Sequence, residues 1–588
     1  MTIRLDHVIE QLNSVAMGDR KADLVLKNCQ LVSVYTREII SKSEISVIGE
    51  RIAYVGHDAS HTIGPKTKII DLKNSFVCPG FADPHLHIDQ FVLPSEFAKK
   101  SLLCGVTSLF SDPIDVVSVG GNNGFMEFLR LGNDLPQRIF QVVPGGLPVD
   151  GKFSNCNTMS ITQQKKAVKH PNVLGMGEVF SWTKVTLREP QTMKSLSAML
   201  ECDCIINGHT AGASDKKLNA YVSSGILSCH EPINFDQVLE RLRLGMWIMI
   251  REGSIRRDLK EIIPRVMAHG TYIDRLMFCS DGLDPTDLIK FGHIDHCIRE
   301  SVKLGMNPID AITIASKNNF DYYNMGKDLG GIAPGKLADI LVLPDLKSFI
   351  PKMVFVGGKL VVSNGKLISK IKKKSISNWA QNSVKLKKFS EKDFQIKSKK
   401  SLESVNTIFM QTEIITKLNN AELQTSGGKI DASIDKDIWK VAAFDRTFGK
   451  NTSTIGFLEN FGPDIGAFAS TWSFHENDLI VIGSSDSDMA IACNQLIKNQ
   501  GGLAVVKSGK VIASLPLQFA GIVSTDSFEK VSSNFEKINQ SMTDNGCKFS
   551  RPHLIPLFLP FLALPSIRIL SSGIVDVKTR NYINTITK

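Results

Sequence analysis

From Ala22 to about Asp71 the chain alternates β-branched and polar residues, as in ADLVLKNCQLVSVYT and SEISVIGERIAYVG. That is the period of half-buried strands. The same texture returns in KLADILVLPDLKSFIPKMVFVGGKLVVSNGK, residues 336–366. A small β-domain assembled from both flanks of an insertion, 1–74 and 331–369, explains the symmetry. Inside the insertion, eight short apolar runs alternate with amphipathic helical text: SFVCPGFAD (75–83), GVTSLF (105–110), RIFQVV (138–143), NVLGMGE (172–178), CIINGH (204–209), GILSCH (225–230), MWIMIR (246–251) and RLMFCSD (275–281). Strands separated by helices read as βα units in a parallel sheet. Eight of them over 75–330 match the roughly 250 residues of a (β/α)8 barrel. The expected fold class is therefore α/β. After a Lys-rich linker at 370–400, segments such as DLIVIGSS and LAVVKSGKVIAS predict a separate α+β domain over 401–588.

Composition narrows the class. With 588 residues, 43% apolar and 22% charged, the chain has the make-up of a multi-domain globular protein, which argues against a disordered, collagen-like or membrane-spanning one. The formal charge is +10, but eleven Lys against Glu391 and Asp393 lie between Lys370 and Lys400. Nearly all the excess sits in that one tract. A nucleic-acid binder spreads its cations along a face with aromatics between them, so no nucleic-acid partner is expected and the tract reads as a solvated linker or surface helix. Eleven scattered cysteines, odd in number and without a CxxC pair, suit reduced thiols in the cytoplasm. No signal peptide is visible at the N-terminus. The apolar run LIPLFLPFLALPSIRIL carries Pro556, Pro560 and Pro565 and is too short for a bilayer, so it reads as buried extended structure.

In a barrel of this kind the reactive groups stand at the C-terminal ends of the strands. The polar residues there are His85 and His87 after the first run, Glu178 after the fourth, His209 after the fifth, His230 after the sixth and Asp281 after the eighth. Four imidazoles and two carboxylates suit two divalent ions, and mixed nitrogen and oxygen donors favour zinc, iron or manganese over calcium or magnesium. Each residue alone has an ordinary structural reading: a bonded histidine, a helix-capping Glu, a turn Asp. Their convergence on one predicted end outweighs it. His85 and His87, two apart in an extended segment, also share a face. His293 and His296, three apart on a predicted helix, are read as structural. There is no GxGxxG or GxxxxGK[ST] phosphate loop. Neither is there a His-x-Glu followed by Pro-Cys-x-x-Cys, the pattern of an unrelated class of zinc deaminase.

Several of these segments resemble a known family. PGFADPHLH (79–87) is similar to the first-strand signature of the amidohydrolase superfamily. GMGEVF, INGHTAGASDKKLNAYVSSGILSCHE, IREGSIRRDL, GHIDHCIRE, LGGIAPGKLADILVL and GPDIGAFASTWSFHENDLIVIGSSDSDMAIACNQL resemble, in order, the motifs of the bacterial adenine deaminases. Cyclic-amidase relatives generally carry a carboxylated lysine on the fourth strand, where this chain has Glu178. Departures fall at Ile114 and Asp115, where the family commonly has His-Glu, at Cys229 and Gly282 in place of acids, and at Phe474-His475-Glu476-Asn477 in place of His-Asp-Ser-His.

The resemblance implies a purine-salvage hydrolase, a cytoplasmic homo-oligomer that converts adenine and water to hypoxanthine and ammonia. A metal-activated hydroxide at a binuclear site would be the nucleophile, with manganese or iron as the metal and zinc also accommodated by four His. His85, His87, Glu178, His209, His230 and Asp281 would be the metal ligands. Asp281 would also shuttle the proton, Glu231 would protonate or hydrogen-bond a purine ring nitrogen, and Arg251 would orient Asp281 or touch substrate. Two alternatives remain: an amidohydrolase acting on another amino-heterocycle or a cyclic amide, and a non-catalytic scaffold of the same fold.

Overall fold

A computed structural model describes residues 4–587. The alternating N-terminal text forms strands Leu24–Ser33 and Glu38–Ile48, paired antiparallel. Phe76–Pro79 runs parallel to the first of these and antiparallel to Ile340–Leu343, beyond which Met353–Val356 and Lys359–Ser363 continue the sheet. Strands from before and after the insertion are thus neighbours in one sheet. The last hairpin turns at Asn364 and Gly365, with φ of 48° and 70°, the left-handed pair that a two-residue turn between twisted strands requires.

All eight apolar runs contribute barrel strands, with one change. The run 75–83 was expected to be a single strand, but it is two: Phe76–Pro79 belongs to the small sheet, and Phe81–Leu86 is the first barrel strand. Gly80 is the hinge. A Cβ there would lie 2.2 Å from Thr107 Oγ1, so only glycine lets the chain cross so close to the next strand. The following strands are Val106–Ser111, Arg138–Val143, Val173–Val179, Ile205–Gly208, Ser228–Cys229, Trp247–Arg251 and Leu276–Cys279. The first five form one parallel run and the last three another. Between the fifth and sixth, Gly208 N donates to Ser228 Oγ at 3.2 Å. The ring closes between eighth and first, where Asp281 N donates to His85 O at 3.1 Å and His87 N to Asp281 O at 2.9 Å. Ala82, Phe110, Phe140, Met249 and Met277 fill the interior, and Phe320, Tyr322 and Tyr323 join that cluster.

The C-terminal α+β domain is built on a ten-stranded sheet running from Ile396–Lys397 to Lys510–Pro516, with helices Asp486–Asn499 and Phe528–Asp544 packed against it. It sits over the C-terminal end of the barrel. Val523–Ser524 pairs in parallel with Phe91–Val92, Phe528 N donates to Glu96, and Arg551 bonds Asp284 and Asp287. The run LIPLFLPFLALPSIRIL is buried as expected but is not extended throughout. Leu554–Phe558 is helical and only Ile567–Leu570 is a strand. Pro556 falls in the first helical turn, where a missing N–H costs nothing, and the helix stops before Pro560. The Lys-rich tract lies along the barrel flank, with Lys374 Nζ bonded to the carbonyls of Arg130 and Asn133, and reaches the C-terminal domain where Lys385 N meets Arg446 O.

Candidate active site

The first barrel strand carries Asp83 and His85 on one face, by the period of two, and His87 follows directly after its end. Asp83 is fully buried. It accepts from His85 N at 3.2 Å, from Ser280 N at 3.2 Å and from the Ser280 hydroxyl, and it lies 2.8 Å from His293 Nε2. His293 in turn meets Ser101 Oγ at 3.0 Å. This network pins the closing seam just beneath the histidines. His293 is therefore structural, as expected, while His296 stands apart at 3.5 Å from Glu252.

His87 Nδ1 lies 2.9 Å from the Asp112 carbonyl, an oxygen that can only accept, so Nδ1 carries a hydrogen and Nε2 is the nitrogen turned into the site. That Nε2 faces Glu178 Oε1 and Asp281 Oδ1, both at 3.4 Å. Glu178 turns its other oxygen, Oε2, to His209 Nδ1 at 2.7 Å and His230 Nε2 at 3.4 Å. One carboxylate is thus shared between the first-strand histidines and the pair from strands five and six. Asp112 holds it from behind, accepting the Glu178 N–H at 2.9 Å. His85 stacks on His230 at 4.2 Å between ring centroids, and its Nε2 is buried with no hydrogen-bond partner.

Asp281 takes a left-handed backbone, φ 58°, a conformation Asp tolerates better than most residues. The two seam hydrogen bonds hold it there. Its Oδ1 faces His85 at 3.6 Å and His87 at 3.4 Å, while Oδ2 accepts from Arg251 Nη1 at 2.6 Å. Both oxygens of Asp281 are therefore engaged, and Arg251 orients it, one of the two roles expected of that residue. The same Nη1 reaches Glu231 Oε1 at 2.7 Å, and Arg256 Nη1 reaches Glu231 Oε2 at 3.3 Å. Arg251 thus ties the eighth-strand acid to the acid beside His230.

Electrostatics follow from burial and these partners. Burial pushes the Glu178 and Asp281 carboxyls up, but the neighbouring His209, His230 and His87 at the first, and His85 and His87 with the charge of Arg251 at the second, hold both well below the usual carboxylate range. Glu231 is likewise raised by burial and pulled down by Arg251 and His209, to about 2. Burial and then the neighbouring His85 lower His230 to about 4. Three ionised carboxylates beside a neutral imidazole form a donor set ready for cations.

Ligand atoms of His85, Glu178 and His230, of His85, His87 and Asp281, and of His209, His230 and Glu231 each lie within 4.8 Å of one another. Together with the unpartnered His85 Nε2, these groups fit a pair of divalent ions. All six residues expected as ligands, and both Glu231 and Arg251, are brought together. Sequence reasoning missed three contributions. Asp83 was detectable, since it shares its strand face with His85. Asp112 and Arg256 act through contacts across the barrel that no local pattern encodes. Finally, the site's edge is aromatic: Phe180, two residues past Glu178, stacks on His475 of the C-terminal domain at 5.1 Å, and His475 meets Phe561 at 5.0 Å.

Comparison with known proteins places this geometry. Residues 76–361 match the amidohydrolase family and residues 413–581 match the adenine deaminase C-terminal domain. An adenine deaminase of Cenarchaeum symbiosum is 59% identical over 582 residues, spanning 99% of this chain and 96% of that protein. Adenine deaminases of Kosmotoga olearia (33% identical, 97% of each chain) and Moorella thermoacetica (32%, 99% of each) align as completely. Among solved structures, a beta-aspartyl dipeptidase of Fervidobacterium islandicum superposes with a TM-score of 0.47 at 17% identity, covering 59% of this chain and 98% of that one. The 59% relative is archaeal, so the kinship is not confined to the bacterial proteins that the motifs first suggested. With end-to-end identity of this order joined to both matched regions, the chain belongs to the adenine deaminase family of the amidohydrolases.

Proposed function

We propose that this protein hydrolyses adenine to hypoxanthine and ammonia, with His85, His87, Glu178, His209, His230 and Asp281 holding two divalent ions. Manganese or iron is the metal we favour; zinc would also suit four imidazoles. When bound, such ions lower the pKa of water toward neutrality and so supply a nucleophile without a strong base. The chain's own groups do the rest. Glu178, with one oxygen toward each group of histidines, holds the two halves of the site in register. Asp281, oriented by Arg251, takes the proton lost by the attacking water and passes it to the amino group leaving carbon 6. Glu231, ionised and gripped by Arg251 and Arg256, serves as acceptor for the ring N–H, whose hydrogen is the second proton of the attacking water, as the purine becomes hypoxanthine. Arg251 acts through these two acids and touches the reaction only by positioning them.

The observation that carries the reading is the convergence of four imidazoles and two acids around Glu178 in one buried cluster. The test is ammonia release from a panel of purines and cyclic amides with added manganese, alongside metal analysis. Adenine turnover at about two ions per chain is the expected outcome. A fully loaded protein that cleaves a cyclic amide and leaves adenine untouched would overturn it. The reading extends to a cytoplasmic homo-oligomer in purine salvage. The eleven free thiols fit a reducing compartment, and among the described residues no helix is long and apolar enough to cross a membrane.

A further inference from the structure

The proton-handling groups all come from the barrel, yet the wall beside them does not. The C-terminal domain bonds the loops after strands one, two, three and eight: Glu96 receives Phe528 N, Ser118 receives Asn477 Nδ2, Asn155 N and Ser154 Oγ donate to Glu476, and Asp284 receives Arg551. The loop after strand five is left uncovered, with Ala211, Gly212, Ser214 and Asp215 exposed. His209, which begins that loop, has a 20% exposed side chain, against 3% for His85 and His230. The open side of the site is therefore the His209 side.

At that side the neighbours are flat and apolar. Phe180 lies 6.3 Å from the His209 ring, stacks on His475 with an interplanar angle of 13°, and stands 6.1 Å from Phe561. His475 is held from behind by Asp115, whose Oδ1 lies 3.3 Å from its Nδ1 and accepts its backbone N–H at 3.4 Å. These are two of the positions at which the chain departs from its family's common motifs, and they are in contact although 360 residues apart. On the other side of His209, Glu231 Oε1 lies 3.7 Å from its Nδ1. A planar base with polar edges needs both features, charged groups for its nitrogens and an aromatic surface for its face.

We propose that Phe180 and Phe561, braced by His475, whose ring is stacked between Phe180 and Phe474, form the wall against which the substrate's heterocyclic ring lies, so that the C-terminal domain sets part of the specificity of a reaction whose chemistry the barrel performs. The proposal rests on the adenine reading for the identity of the ring and on this geometry for the wall. Phe561 is the residue to change, because it comes from the C-terminal domain and touches none of the proposed ligands.

The experiment uses the full-length, manganese-loaded protein and its Phe561→Leu and Phe561→Ala variants. Each is measured for ammonia release against adenine concentration, for equilibrium binding of hypoxanthine, for metal content and for thermal unfolding. Loss of an aromatic face contact predicts KM for adenine and Kd for hypoxanthine raised about five-fold in the Leu variant and about ten-fold in the Ala variant. Metal content should be unchanged and kcat within two-fold of the parent. Unaltered KM and Kd in a folded, metal-loaded Leu variant would overturn the wall while leaving the adenine reading in place. A parent that binds hypoxanthine but releases no ammonia from adenine, with binding weakened in the Leu variant, would overturn the reaction and support the wall. A parent that neither binds nor turns over would overturn both.

Discussion

His85 and His87 reach the site because they stand two apart at the end of one strand, and the same strand brings Asp83 underneath them. His475 reaches its edge by another route: a loop of a different domain settles onto Asp115 and Ser118, with His475 and Asn477 in left-handed backbone at φ 60° and 50°. The first arrangement is local and repeats along a strand, and the second exists only once two domains have docked. The difference teaches where each kind of change should be felt. Damage to the barrel's inner set should stop the chemistry, whereas damage to the docked loop should alter fit and stability and leave the chemistry running.

Four measurements break or sharpen that contrast. Exhaustive chelation should abolish ammonia release, with recovery on adding manganese, and should lower stability by about 3 kcal/mol per ion lost relative to protein at a hundred-fold excess of metal over its Kd, read as a lower melting temperature. Asp281→Asn should cut kcat by roughly 10²–10⁴ with little change in melting temperature; near-normal turnover would remove Asp281 from proton transfer. Asp83→Asn leaves His293 and Ser280 with a poorer partner in a fully buried network and should cost about 2 kcal/mol of stability. Activity should fall less than in Asp281→Asn, as the steady-state rate below the melting transition will show. The smallest effect belongs to the docked loop. Glu476→Gln keeps one of the two donors from Ser154 and Asn155 and loses the other, worth about 1 kcal/mol at most, with kcat essentially unchanged.

The last variant also carries a pH signature. Burial raises the Glu476 carboxyl above its ordinary value, so the folded state binds its proton more tightly than the unfolded chain does. Stability from this group is present in full below the unfolded pKa and falls as pH rises through the folded one. Denaturant titrations of the parent across mildly acidic pH should show that decline, and Glu476→Gln should flatten it. An unflattened curve would assign the decline to other groups.

The legible part of the molecule follows the same division. The eight runs, the flanking sheet and the six strand-end residues could be read because strand period and strand termini are properties of neighbouring residues. The split at Gly80 was not read, since Pro79 and Gly80 continue an apolar run and only the approach to Thr107 shows that the chain changes sheets there. That Arg251 orients Asp281 is one of the two roles its place at the end of the seventh strand suggests, but which carboxylate oxygen it takes depends on a contact between residues 30 apart that no local pattern encodes. Phe561 lies in a proline-punctuated run that reads as buried extended structure, a pattern that says nothing of which neighbours it meets. His475 stands out as a departure from the family's motifs, but nothing in the sequence says that Asp115 is its neighbour.

The two hydrogen bonds between the 85–87 segment and Asp281 close the ring and also aim three of its reactive side chains. A mis-paired closure displaced by a single residue would swing both imidazoles into the helical layer and leave their cations unclaimed. Correct assembly and competence for chemistry therefore share one checkpoint: a chain stitched up wrongly at that edge should betray itself by failing to take up metal.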